Sequence, residues 1–117
     1  MTKSTKILVP SGVLGLGFSE DALIQGLKRQ PDIISIDGGS TDSGPFYLGM
    51  GVSKYSLEVC EAELHLLMQA RHDNKIPLVI GSCGTCGVNA GVDMMFDMTV
   101  RIAKKLGHSV KIARIYC

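Results

Sequence analysis

Three short apolar runs in this chain stop abruptly at glycine-rich, polar segments, and that repetition constrains the fold more than any other feature. Lys6-Ile-Leu-Val-Pro10 gives way to Ser11-Gly-Val-Leu-Gly-Leu-Gly-Phe18. Ile33-Ile-Ser-Ile36 gives way to Asp37-Gly-Gly-Ser-Thr-Asp-Ser-Gly-Pro45. Ile76-Pro-Leu-Val-Ile80 gives way to Gly81-Ser-Cys-Gly-Thr-Cys-Gly87. Short β-branched runs bounded by glycine and turn residues read as buried strands. Strands alternating with helical patterns predict a parallel sheet with right-handed crossovers. All three loops then emerge at the carboxyl edge of the sheet, where open α/β folds bind their ligands.

The helices are marked by their ends. Ser19 is placed to cap a helix with Glu20 and Asp21 in its first turn, where the helix dipole favours negative charge. Phe18 and Leu23 fit a hydrophobic staple, and Pro31 stops this helix near Gln30. Ser56 is a second cap. Leu57, Cys60, Leu64, Leu67 and Met68 then recur at helical spacing up to Asp73-Asn74, with Glu58, Glu61 and Glu63 expected on other faces. A third helix is predicted from Val92 to Leu106, with Met95, Met98, Ile102 and Leu106 on one face and Gly107 at the position after the cap. Ser109 to Tyr116 reads as a fourth strand. The expectation is a single α/β domain over residues 1–117, Rossmann-like and three-layered, with about four mostly parallel strands and three helices. No helix follows the fourth strand, so the expectation is either that two of the three helices cover one face and the other is thin, or that the domain is incomplete, the first part of a longer protein.

At 117 residues the chain holds one domain, and folding buries roughly two thirds of the unfolded surface. The net charge of +1, with scattered Lys and Arg, argues against a nucleic-acid surface. No apolar run approaches the roughly 18 residues of a membrane span, and the N-terminus has no signal-peptide core. The expectation is therefore a cytoplasmic protein without membrane contact, whose four cysteines, Cys60, Cys83, Cys86 and Cys117, are free thiols.

Each loop has competing readings. In the first, Gly12, Gly15 and Gly17 sit between a strand and a helix, as a dinucleotide fingerprint requires. The third glycine is missing, because Glu20 occupies its place, and acidic Glu20 and Asp21 oppose a pyrophosphate. A tight turn fits better. In the second, Asp37 and Asp42 with Ser40, Thr41 and Ser43 offer acid–base or metal-binding carboxylates and substrate-positioning hydroxyls, or an Asx-turn loop that serves only its own backbone. In the third, Cys83-Gly-Thr-Cys86 reads first as small residues allowing close approach, then as a thiol redox pair at a helix start, and last as half a zinc site lacking its second half.

These three loops carry a resemblance. At Val9–Phe18, Ile36–Pro45 and Val79–Gly87 the chain resembles the N-terminal part of the acyclic terpene utilisation protein family, also described as a domain of unknown function. The Asp37-Gly-Gly-Ser-Thr-Asp-Ser-Gly-Pro45 stretch is its most specific part. Family members are several times longer, which implies an N-terminal portion here. Cys83 and Cys86 depart from the small residues, such as Gly or Ala, expected at those positions. The resemblance implies a place in organic-acid or acyl-CoA catabolism.

The residues and the resemblance together lead to the expectation of an enzyme, or part of one, acting on an organic acid or CoA thioester. Asp37, Asp42, Ser40 and Thr41 are the candidate catalytic residues. Gly12, Gly15, Gly38, Gly39, Ser82 and Gly84 are the candidate substrate contacts. A non-catalytic nucleotide- or anion-binding module that pairs with a partner chain or a second copy is the alternative, and a redox protein using Cys83 and Cys86 the third. No pattern names a cofactor or a metal.

Overall fold

The structure, a computed structural model, describes residues 2–117, and of Thr41 the backbone alone. The element order is β1 (Ile7–Leu8), α1 (Glu20–Leu27), β2 (Ile33–Asp37), a 3-10 turn (Thr41–Ser43), α2 (Pro45–Met50), α3 (Leu57–Asn74), β3 (Leu78–Gly81) and α4 (Asn89–Leu106). The strands form one parallel sheet in the order β1-β2-β3, with Ile7 opposite Ile33, and Ile34 and Asp37 opposite Leu78 and Gly81.

The caps follow the sequence. Ser19 Oγ accepts the Ala22 N–H at 3.3 Å, and Ser56 Oγ accepts the Val59 N–H at 3.4 Å. Gly107 closes α4 in the left-handed conformation. Helix α1 ends a turn earlier than the apolar spacing suggests, because Pro31 disfavours helical backbone at Gln30, which sits at φ +55°.

Two layers, rather than three, make up the domain. Strand order 1-2-3 with right-handed crossovers puts successive helices on one face of the sheet. Burial agrees: Ile34 and Ile36 join Leu14, Leu23, Leu64, Leu67, Met98 and Ile102 in the core, with Leu8, Leu78 and Ile80 packed against them. The register places Ile7, Ile33, Ser35 and Val79 on the opposite face, where Ile7 is 61% and Val79 48% exposed.

The expected fourth strand does not form. Residues 109–117 carry no regular structure and, among the described residues, no backbone hydrogen bond joins them to β3. A fourth helix, α2, appears instead within the stretch read as irregular. Pro45 at its first turn needs no helical N–H partner, and Gly51 closes it in the left-handed conformation. Among the described residues no helix is long and apolar enough to cross a membrane.

Candidate functional site

The three glycine-rich loops do meet at the carboxyl edge of the sheet, and backbone bonds hold them together. Leu14 N–H donates to Asp37 O at 2.8 Å, tying the first loop to the end of β2. Gly38 N–H donates to Gly81 O at 2.6 Å, and Gly84 N–H returns to Gly38 O at 3.2 Å. The second and third loops are thus zipped along their backbones. A Cβ at Gly39 would fall inside the van der Waals shell of the Thr85 backbone, so only glycine permits this junction. The close approach made by Gly38, Gly39 and Gly84, all buried, is to the protein's own chain. Gly15, at φ +102°, lies under Tyr55 and Cys60, whereas Gly12 is exposed with open space above it.

Thr85 is the most constrained residue of the junction. It is 1% exposed and stands at φ +72°, a region a β-branched side chain rarely occupies. Its Oγ1 accepts the Lys54 N–H at 2.9 Å and lies 3.4 Å from Ser53 Oγ. Neighbouring Ser82 is also left-handed, at φ +45°. Strained backbone held by surrounding packing concentrates at functional sites.

Over this junction opens a pocket of about 290 Å³ lined by Ser40, Asp42, Tyr47, Leu48, Thr85 and Cys86, among others. Ser40 Oγ donates to Asp42 Oδ1 in a close hydroxyl–carboxylate pair. Asp37 is placed differently: its Oδ1 accepts the Gly39 N–H at 3.1 Å, an Asx-type bond that stabilises the turn. The Thr41 side chain lies outside the described residues. Ser82 and Gly84 belong to the third loop without lining this pocket.

The two motif cysteines face different spaces. Cys86 lines the Ser40–Asp42 pocket, and Cys83 lines a separate apolar cleft beside β3. Both are free. Burial, with a smaller push from Asp37, raises the Cys83 thiol above its usual range. A thiol-exchange pair needs the opposite shift at its attacking sulfur.

Sequence reasoning missed two charged residues here. Lys54, in the segment after α2, extends Nζ to 3.4 Å from Ser43 Oγ and brings a cation to the second loop. Nothing in the local pattern around Lys54 signals this, because the contact depends on Thr85 holding its backbone. Glu63, expected with Glu58 and Glu61 away from the core, is 7% exposed. Its Oε2 accepts the Gly15 N–H at 2.6 Å, and its buried Oε1 has no partner. It supports the first loop and does not line the Ser40–Asp42 pocket. Burial, and then the Glu63 charge, push the adjacent Cys60 thiol up, and Cys60 Sγ donates to Leu14 O at 3.7 Å.

Among the described residues no three His, Cys, Asp or Glu side chains gather as a metal site. What the arrangement offers chemically is an exposed carboxylate, a hydroxyl hydrogen-bonded to it, and an ammonium group at the neighbouring Ser43. Fold and site define a parallel α/β protein with a loop-built pocket at the carboxyl edge of its sheet. No family model, curated protein or solved structure matches the chain.

Proposed function

We propose that the loop edge is the substrate pocket of an enzyme acting on a small organic acid or its acyl-CoA derivative. The observation that carries this reading is the Ser40–Asp42 pair, set over a strained, glycine-dependent junction. In this reading Asp42 accepts a proton from a carbon or hydroxyl beside the substrate carbonyl, as hydratases and lyases require. Ser40 orients the carboxylate, and Lys54 balances the charge of the substrate acid. The resemblance of the three loops to the acyclic terpene utilisation family supports the same chemical neighbourhood, and membership of that family is part of the proposal.

The test is a thermal-shift panel of CoA thioesters, short organic acids, nucleotides and divalent metals. A ligand at a hundredfold its Kd adds about 2.7 kcal/mol of stability. A shift with acids or thioesters that Asp42→Asn abolishes is the expected result. A shift with nucleotides alone would replace this reading with a nucleotide-binding module.

The uncovered sheet face favours a second reading, in which this domain works in an assembly. Parallel sheets are normally covered on both faces. In that reading a partner chain or a second copy packs on Ile7, Ile33 and Val79.

A further inference from the structure

Alongside the free edge of β3 runs an apolar cleft of about 440 Å³ that the Ser40–Asp42 chemistry does not use. One wall is Leu78, Ile80 and Cys83; the second is the α4 face of Val92, Met95 and Phe96; the third is the C-terminal segment 110–115. That segment is pinned at both ends and nowhere along β3. At one end the His108 ring stacks on His72 of α3, with centroids 3.5 Å apart. At the other, Arg114 Nη1 pairs with Asp93 at 3.1 Å, Tyr116 OH donates to the same carboxylate, and Cys117 N–H donates to Asn89 Oδ1 at 3.3 Å. The segment therefore spans the cleft as a strap.

We propose that this cleft binds an aliphatic monocarboxylate, its hydrocarbon tail along β3 and α4 and its carboxylate on Arg114. The volume falls in the roughly 300–1,000 Å³ range of small-molecule sites, and mostly apolar walls with a few polar groups are their usual lining. The apolar walls select a tail. Three cations line the cleft: Arg71, whose Nε donates to Ile76 O at 3.1 Å, Lys111, and Arg114, whose guanidinium lies 4.3 Å over the Phe96 ring of the α4 wall and pairs with Asp93; the proposal places the acid on Arg114. A guanidinium has five N–H donors in a fork that matches a carboxylate, so donors remain for a second acid. Arg114 sits near the start of α4, so the acid head lies at the sheet edge that carries the loops. The inference goes beyond the proposed function and does not rest on it, because Cys83 and Cys86 line separate spaces.

Cys83 reports occupancy directly. The experiment measures iodoacetamide labelling of Cys83, Cys86 and Cys117 by peptide mass spectrometry on the full chain, with decanoate, decanol or hexanoate present, alongside the melting temperature. Decanoate is expected to raise the melting temperature and slow Cys83 labelling about tenfold or more, leaving Cys86 and Cys117 unchanged. Hexanoate and decanol are expected to bind about tenfold more weakly, a difference equivalent to about 1.4 kcal/mol. Arg114→Gln should bring decanoate down to the level of decanol. Arg114→Lys, which keeps the charge and loses the fork, should fall between them, and serves alone if the Gln variant does not fold. Unchanged Cys83 labelling in saturating decanoate would overturn the proposal. So would parallel protection of all three thiols, which marks non-specific coating. Protection by a peptide copying residues 110–116 but not by decanoate would overturn it in favour of strand addition.

Discussion

Thr85 and Gly39 show how much a single contact decides at this site. The second and third loops share a backbone junction with no space for a side chain, and the buried Thr85 is held left-handed across it. Gly39→Ala forces the loops apart. Overpacking of this kind costs about 1–3 kcal/mol, and backbone on backbone lies at the upper end. The expected result is a lower melting temperature together with loss of ligand shifts. Thr85→Val keeps the shape and removes Oγ1, stranding the Lys54 N–H at a cost of about 1–3 kcal/mol by denaturant titration. Ser40→Ala and Asp42→Asn should behave in the opposite way. Asp42 is exposed, so stability should stay within about 0.5 kcal/mol while the ligand response disappears. At this scale the sequence was legible in kind but not in use. Glycine marked the places of close approach, but it could not say that Gly39 approaches Thr85 rather than a substrate. Glu63 shows the limit from the other side. Three glutamates lie within six residues of one helix, and only the position of the first loop selects Glu63 for burial on Gly15.

Helix ends were readable because caps are local. Ser19, Ser56 and Gly107 act within one turn of themselves, and the structure uses each as the sequence suggests. Helix α2 escaped notice because Gly44-Pro45 serves equally as a turn or as a helix start, and six residues are too few for a periodic signal. The fourth strand failed for the converse reason. Val110, Ile112 and Ile115 have strand propensity, but pairing requires a neighbour, and the segment is anchored by its ends instead. Between α3 and α4 the pairing is electrostatic as well as apolar. Glu61 on α3 meets Arg101 at 3.0 Å and Lys105 at 3.2 Å on α4. The hydrogen bond from Arg101, then that from Lys105, holds the Glu61 carboxyl below its ordinary range. A carboxylate whose folded pKa is lowered adds stability above its unfolded pKa and loses it as pH falls through the folded value. Acid melts of the wild type should therefore fall more steeply below about pH 4.5 than those of Glu61→Gln. The difference should be small, because the pair is solvated and salt screens it.

At the scale of the molecule, a parallel sheet with one bare face sets the remaining question. Three strands in the order 1-2-3 stack their crossover helices on one side, and the loops at the carboxyl edge were legible because that geometry follows from alternation alone. The layer count was not, since the strand patterns fit burial on one face or on two. Ile7 pairs with Ile33, and Val79, which pairs with Ser35, lies diagonally one step further along the same face, so the three form a diagonal apolar stripe beside Ser35. Apolar side chains gathered on one outward face mark an interaction site. The isolated chain is therefore expected to self-associate with rising concentration in light scattering. Ile7→Lys and Val79→Lys together should return it to a monomer with the melting temperature essentially unchanged, because both side chains point away from the core. Monomeric behaviour of the unaltered chain at high concentration would show that the stripe does not join copies of this chain, and a partner would then be sought by its apolar complement. The double variant also separates the two functional readings. If it keeps the acid or thioester shift, the pocket works within one chain. If it loses that shift while remaining folded, the pocket depends on the assembly.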